Sequence, residues 1–283
     1  MKDFSIPNRI EESYRRSFKG LIDKFIEIIL PSITDPFQFL QAFRDFTSTE
    51  YFQHFTYSMA SRMVTGVMVE NAQSWREAAR KSMNGRMIYE TLRREMEGPV
   101  GIRIQELIND NARLISTFPD DIAELVANFI KDESEKGIRA DRIAKTLIKQ
   151  FPEVTRGRIN LISRTETSKA GAALTRARSE ELGLDWYQWM TSKDVRVRPS
   201  HKNLEGVVIA WSDPPAPDLL LNIKSTLGHA HAGEFPNCRC YSAPLISLDD
   251  ITWPHKVYST GRIRYMTRAN FERLANIQLR KAA

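Results

Sequence analysis

The sequence predicts an α+β protein: a largely helical N-terminal region, then a long helix packed on a small, mostly antiparallel sheet, with a basic C-terminal tail. Two observations carry this prediction. Apolar residues recur at helical spacing through most of the chain before Gly183. After Gly183 the pattern changes to short extended runs separated by proline and glycine. Three short strands against one long helix are enough to form a compact α+β unit.

The composition is that of a folded, non-membrane protein. With 283 residues, 42% of them hydrophobic, the chain can build one large core or two modest ones. It contains no run of about 18 apolar residues, which argues against a membrane span. Its first residues lack the apolar stretch of a signal peptide, so we expect the protein to stay in the compartment where it is made.

The first 115 residues predict helices without a cluster of chemically useful side chains. Residues 11–30 have apolar residues at the spacing of an amphipathic helix, and a second helix is predicted from Phe37 to Phe46. Thr47 and Glu50 have the spacing of a capping box that introduces a third, long helix. Phenylalanine and methionine at helical spacing usually form a core, although an assembly protein can use such a stripe to dock on a partner.

The middle of the chain predicts three helices followed by three strands. One helix begins at Pro119, another begins at Ile138 and ends before Pro152, and Thr155 caps the long third helix, which reaches about Leu182. The strands are expected at 186–190, 207–211 and 238–243. A proline-rich loop separates the last two strands.

A candidate metal site combines Asp194, His201, Cys238 and Cys240. On an extended segment, residues two apart face the same side, so both cysteines can present sulfur to one point. One carboxylate, one imidazole and two thiolates would complete a tetrahedral structural zinc site, so one structural zinc ion is the candidate cofactor.

Alternatives to this site remain open. His229 and His231 are also two residues apart, and either could replace a ligand. The two cysteines could instead be small buried residues beside a structural histidine. Asp194 could pair with a nearby arginine and fix a loop. No residue set predicts a catalytic site, and Glu205 is only a weak candidate for a general base beside a metal.

The excess positive charge lies at the C-terminal end. From residue 256 onward seven basic residues face one acidic residue, Glu272, which gives +6 and equals the net charge of the whole chain. A surface of this kind suits a polyanion such as DNA, although a solvated helical tail has the same composition. The candidate DNA-binding residues are Lys256, Arg262, Arg264, Arg268, Arg273, Arg280 and Lys281.

Several motifs in order resemble those of a known family. They are Arg164-Thr165-Glu166-Thr167 on a helix, Gly183 before Trp186 and Trp189, Asp194 to His201, Leu204-Glu205-Gly206, and Asn237-Cys238-Arg239-Cys240. In order and spacing they resemble the Mu F-like head-morphogenesis family, which are minor capsid proteins of tailed bacteriophages and prophages. The resemblance spans about Phe118 to Pro244.

The resemblance implies a role, and the patterns before and after the matching motifs complete a domain division. Residues 1–115 would be a helical region that docks on portal or capsid, 116–250 the Mu F-like domain, and 251–283 the basic tail. The protein would be built into the virion near the portal vertex after assembly in the bacterial cytoplasm. Its partners would be the portal protein, the major capsid or scaffolding protein, and packaged double-stranded DNA. The resemblance implies no established enzymatic activity.

Two functions from other classes stay open beside it. The first is a metal-dependent hydrolase that uses the His/Cys-x-Cys site. The second is a DNA-binding regulator, which is the weakest because no recognition helix with a dimer signature is evident.

Overall fold

The computed structural model describes residues 3–29, 36–83 and 85–282, and most of them are helical. The helices are α1 (Asn8–Ile29), α2 (Pro36–Thr47), α3 (Glu50–Lys81), α4 (Gly85–Arg94), α5 (Pro99–Glu135), α6 (Ala140–Glu181), α7 (Pro199–Asn203) and α8 (Arg268–Ala282). The strands are β1 (Trp186–Met190), β2 (Val208–Ala210), β3 (Tyr241–Pro244), β4 (His255–Ser259) and β5 (Arg262–Met266). None of the described helices combines the length and apolarity needed to cross a membrane.

The chain divides into two compact units that are discontinuous in sequence. Unit 1 contains residues 1–6, 67–103 and 167–283, and unit 2 contains residues 7–66 and 104–166. Helices α3, α5 and α6 each contribute residues to both units. Long helices therefore carry the chain from one unit into the other and back.

Unit 2 is helical and has an aromatic core. The ring centroids of Phe18 and Phe118 are 4.6 Å apart, and those of Phe25 and Phe43 are 4.4 Å apart. Phe151 lies 5.9 Å from Phe25 and is also buried. The phenylalanine stripe of the first helices is therefore core packing in this unit, since aromatic pairs at these separations stabilise beyond the area they bury.

Unit 1 contains a mixed five-stranded sheet in the order β3-β1-β2-β4-β5. β1 pairs antiparallel with β2 and β3, β2 pairs parallel with β4, and β4 and β5 form an antiparallel hairpin. Alternate residues of β1 face opposite sides of the sheet. Tyr187 and Trp189 enter one buried cluster with the cysteines, and Trp186 enters the other with Phe271 of α8.

The α+β class predicted from the sequence is confirmed, with three differences in its elements. Pro119 and Pro152 lie inside α5 and α6 and do not mark helix boundaries. Thr155 is not an N-cap, because its hydroxyl donates to the backbone carbonyls of Phe151 and Pro152. Helix α3 is capped by Thr49, whose Oγ1 accepts from the Phe52 N–H at 3.2 Å, and Thr47 ends α2.

The segment that the sequence analysis set apart as a basic tail is part of the sheet. It supplies β4, β5 and α8, and it buries Val257 and Phe271 in the cluster that covers one sheet face. The basic residues obscured the strand signal, because Lys256, Arg262 and Arg264 interrupt the apolar pattern. Residues 251–283 are thus structural as well as basic.

Candidate metal centre

Three of the predicted ligands meet inside unit 1. His201, Cys238 and Cys240 present potential ligand atoms that all lie within 4.8 Å of one another. All three side chains are buried, with relative exposures of 2%, 4% and 4%. Both cysteines belong to the apolar cluster on one face of the sheet, and two rings of that cluster, Trp189 and Phe235, lie beside the His201 imidazole at centroid distances of 5.4 and 5.1 Å.

A short helix and a tight loop bring these side chains together. His201 lies in α7, which begins at Pro199, a residue suited to the first turn of a helix. The cysteines lie just before β3 and not within it, so their prediction as strand residues is wrong by a few positions. The preceding turn uses a positive φ of 93° at Gly233 and of 59° at Asn237, two residue types that tolerate this conformation.

The separations within the group fit one bound metal ion. His201 Nδ1 lies 3.5 Å from the sulfur of Cys238 and 3.5 Å from the sulfur of Cys240. A tetrahedral zinc ion, about 2.3 Å from sulfur and about 2.0–2.1 Å from nitrogen, would hold such atoms about 3.6 Å apart. A single imidazole nitrogen offers one lone pair or one N–H, so it serves one of the two sulfurs well as a hydrogen-bond partner. One metal ion would serve both.

The two thiols are electrostatically unequal. A hydrogen bond from the Cys240 thiol lowers the pKa of Cys238 strongly, against the effect of burial, and His201 and the Cys240 backbone N–H add to the lowering. The same hydrogen bond raises the pKa of Cys240, and burial raises it further. The backbone N–H of Cys240 lies 3.3 Å from the Cys238 sulfur. One thiolate is therefore prepared for a soft metal, which binds sulfur in its deprotonated form.

Asp194, the fourth predicted ligand, is engaged elsewhere. Within the described part of the chain it does not belong to the group of potential metal ligands. Its carboxylate accepts from the Arg196 backbone N–H at 2.8 Å, the Ser192 hydroxyl at 3.2 Å and Arg239 Nη1 at 3.2 Å. Partial burial raises the pKa of Asp194, but these hydrogen bonds and the arginine charges outweigh it and leave the pKa below its ordinary value. Asp194 thus fixes the loop before α7 against the residue between the two cysteines.

The two further histidines do not join the group. His231 Nδ1 lies 3.0 Å from the hydroxyl of Tyr187, and its backbone N–H donates to Glu234. His231 is as deeply buried as His201, and desolvation lowers its pKa, with Glu234 acting in the opposite direction. His229 is exposed, and its Nδ1 lies 2.9 Å from the Pro214 carbonyl. The pairing of His231 with Tyr187 was not predictable from spacing, since 44 residues separate them.

Glu205, the candidate general base, is occupied by structural contacts. Its Oε2 accepts from the Thr191 backbone N–H at 2.7 Å, and its Oε1 lies 3.8 Å from Lys193 Nζ. A general base must instead be free to reach a metal-bound water or a substrate proton. No observation on the described residues favours the hydrolase.

The predicted DNA-binding residues are placed unequally. Arg268 is paired with Asp249 at 2.6 Å and with Glu272 at 3.0 Å. Arg262 and Arg264 are exposed on β5, and Lys256 of β4 stacks over the Tyr265 ring at 5.8 Å. Arg273 donates to the side chain of Asn270. The side chains of Arg280 and Lys281 lie outside those that the structure describes.

Comparison with known proteins gives a family for the segment that holds this centre. Residues 124–243, which include all three grouped ligands, match the family model described as Phage Mu protein F like protein. An uncharacterised protein of Haemophilus influenzae is 32% identical over 149 residues, which are 52% of this chain and 30% of that protein. An uncharacterised protein of Methanocaldococcus jannaschii is 32% identical over 111 residues, which are 39% of this chain and 15% of that protein.

These relatives are much longer than the part that they share with this chain, so their whole activities do not transfer to it. No solved structure matches the chain. The motifs that suggested the family lie mostly inside the matched segment, from Arg164 to Cys240. Residues 124–243 are therefore similar to the Phage Mu protein F like family, which confirms the resemblance predicted from the sequence.

Proposed function

We propose that this protein is a minor head protein of a tailed bacteriophage or prophage, built into the portal vertex during head morphogenesis. The match of residues 124–243 supports the proposal, because the family suggests a head morphogenesis protein. Its partners are the portal protein, the major capsid or scaffolding protein, and packaged double-stranded DNA. It works as a structural component of the virion after assembly in the bacterial cytoplasm.

A structural zinc ion at His201, Cys238 and Cys240 belongs to this proposal. The support is the common 3.5 Å separation of both sulfurs from one imidazole nitrogen, within an apolar and buried cluster. The ion would tie α7 to the turn that precedes β3. Structural zinc sites contribute on the order of 10 kcal/mol at neutral pH, which is large for a sheet of short strands.

Co-purification tests the head role. The tagged full chain is co-expressed with the portal protein of the same phage, and portal rings are isolated by size-exclusion chromatography. We expect the chain to elute with the ring and not with a ring-forming tail protein used as control. Elution apart from the portal ring, or equal retention by both rings, would contradict the proposal.

Metal analysis tests the zinc site. Elemental mass spectrometry of the full chain, purified without added chelator, should give about one zinc ion per chain. Cys240→Ser should remove most of it. The matched control is His231→Ala, which removes an equally buried histidine that is outside the ligand group. Metal-free wild type, or loss of metal in both variants alike, would exclude the site.

A further inference from the structure

The two cysteine sulfurs of the candidate metal centre receive unequal support from hydrogen-bond donors. The Cys238 sulfur has the backbone N–H of Cys240 at 3.3 Å. The Cys240 sulfur lies 3.5 Å from His201 Nδ1, and no backbone N–H of the described residues donates to it. Hydrogen bonds from outside the ligand set orient a metal-bound ligand and tune the metal. Cys240 therefore needs a donor from another part of the fold.

Strand pairing brings Trp189 of β1 beside Cys240. Trp189 is opposite Ser242 of β3, and Cys240 lies two residues before Ser242. Such a diagonal neighbour is about 7–8 Å away, within reach of an aromatic side chain. Trp189 and Cys240 also belong to the same buried cluster, which fixes both on one face of the sheet. The indole in addition stands edge-on to the His201 imidazole, with an angle of 84° between the ring planes.

The indole N–H of Trp189 is available for this role. The side chain is fully buried, and its Nε1 has no hydrogen-bond partner among the described residues. Buried N–H groups are nearly always paired, so an orphaned one calls for an acceptor that arrives with a ligand.

A bound metal would turn the Cys240 sulfur into that acceptor. A neutral thiol accepts weakly, whereas a thiolate accepts a charge-assisted hydrogen bond. The Cys238 hydrogen bond and burial raise the pKa of the Cys240 thiol, and the Trp189 indole acts in the opposite direction, which shows that the indole favours the thiolate. Metal binding replaces the thiol proton, because metals bind sulfur in its deprotonated form.

We propose that Trp189 is a positioning residue of the metal centre, whose indole N–H donates a hydrogen bond to the metal-bound Cys240 thiolate. The inference rests on the zinc site of the proposed function. The indole then does for Cys240 what the Cys240 backbone N–H does for Cys238. Because Trp189 belongs to β1, which is flanked by β2 and β3, the bond would also tie the centre to the interior of the sheet.

A matched pair of variants tests the indole. Trp189→Phe and Trp211→Phe each remove one indole N–H and keep an aromatic ring. Trp211 belongs to the same cluster, and its Nε1 is also buried without a partner among the described residues. Its ring, however, lies against Tyr187 and His231, at centroid distances of 4.2 and 5.2 Å, and neither residue is in the ligand group. The comparison therefore separates the bond to sulfur from the loss of packing.

Zinc affinity is the first measurement. The full chain is titrated with zinc in competition with a chromophoric chelator at neutral pH, and circular dichroism checks that each variant is folded. We expect Trp189→Phe to bind zinc about 10–100-fold more weakly, the usual effect of losing such an outer partner, and Trp211→Phe to stay close to the wild type. Equal affinities in the two variants would overturn the inference and leave the zinc site standing. A wild type that binds no zinc would overturn the zinc site and the inference together.

A spectroscopic measurement distinguishes the hydrogen bond from a merely structural role. With cobalt(II) in place of zinc, the thiolates give a sulfur-to-metal charge-transfer band. An N–H donor withdraws electron density from the sulfur, so its loss in Trp189→Phe should move the band to lower energy. Trp211→Phe should keep the wild-type band. An unmoved band in Trp189→Phe would contradict the bond, whatever happened to the stability of that variant.

The wild type answers the question if Trp189→Phe does not fold. In the full chain with isotope-labelled tryptophan, the nuclear magnetic resonance signal of the Trp189 indole proton should move downfield when zinc is added, because the proton enters a hydrogen bond to a charged sulfur. The signal of the Trp211 indole proton should stay in place. A Trp189 signal that does not move while zinc binds would overturn the inference.

Discussion

Arg178 of α6 and Glu95 form a bidentate ion pair inside unit 1, with Nε–Oε2 and Nη2–Oε1 distances of 2.8 and 2.9 Å. Arg178 is fully buried, and Glu95 is 7% exposed. Asn71 of α3 accepts from the third guanidinium nitrogen and donates to Thr175 at 2.7 Å. The network ties α3 and α6 to the turn after α4, and each polar group in it has a partner, which a buried charge requires.

Glu95→Ala should lower the free energy of unfolding of unit 1 by about 3–5 kcal/mol, because it leaves the buried Arg178 without a counter-charge. Urea denaturation followed by tryptophan fluorescence measures this, since all five tryptophans lie in unit 1. Glu180→Ala on α6, which removes the exposed partner of Arg176, should cost no more than about 1 kcal/mol. Equal losses in the two variants would refute the buried pair as the stronger constraint.

The stability of unit 1 should fall as the pH drops below about 6.5, in part through His231. Burial lowers the pKa of His231 in the folded chain, so the unfolded chain binds the proton at a higher pH. This contribution is complete above the unfolded pKa and is lost below it. His231→Gln should reduce the loss of unfolding free energy between pH 7.5 and 5.5, although it also removes the Tyr187 contact. His229→Gln, at the exposed neighbour, is the matched control variant.

Gly233→Ala should destabilise unit 1 more than Gly228→Ala does. Both glycines have positive φ, which costs about 1–3 kcal/mol for a residue with a Cβ atom. At Gly233 an added Cβ would also lie 3.0 Å from the Cys240 carbonyl oxygen and 3.2 Å from Ala172 Cβ, whereas at Gly228 it meets nothing within 4 Å. Urea denaturation of both variants gives the comparison. A larger loss at Gly228 would show that the turn before the cysteines is not tightly packed.

Phe271→Ala should lower the free energy of unfolding of unit 1 by about 3–5 kcal/mol. The ring is buried against Trp186, with centroids 4.8 Å apart, and it anchors α8 on the sheet. Truncation after Asp250 should be more damaging, because it also removes β4 and β5. Thermal unfolding checks both, and a truncated chain with the wild-type midpoint would contradict the placement of these elements in the sheet.

Local sequence patterns predicted the elements that depend on local chemistry. β1 occupies the predicted residues 186–190, and His201, Cys238 and Cys240 were grouped from residue type and spacing alone. The failures involve partners that are distant in sequence. Glu95 and Arg178 are 83 residues apart, and the local sequence around each residue does not predict that the two form an ion pair. Asp194 has the residue type of a metal ligand, but its carboxylate accepts a hydrogen bond from Arg239. That contact depends on the packing of the loop before α7 against the segment that holds the cysteines.

β4 and β5 were missed for a related reason. Their stability comes from the parallel pairing of Val208 with Val257 and from cross-strand pairing in the hairpin, and not from an uninterrupted apolar run. The positive charges that suggested a polyanion-binding surface also gave the segment the composition of a solvated tail. In this chain β4 and β5 therefore carry basic side chains and also form part of the sheet.

The position of β2 between β1 and β4 has a consequence for synthesis on the ribosome. β1, β2 and β3 can assemble as soon as residues up to 244 have emerged, but β2 then remains a border strand with open hydrogen-bonding groups. Only the emergence of residues 255–259 gives it a second neighbour. A nascent chain that pauses after residue 244 and before residue 259 exposes the unpaired, apolar edge of β2, which can pair with another chain and aggregate. Rapid translation of this interval, or chaperone binding during it, should therefore increase the yield of soluble protein.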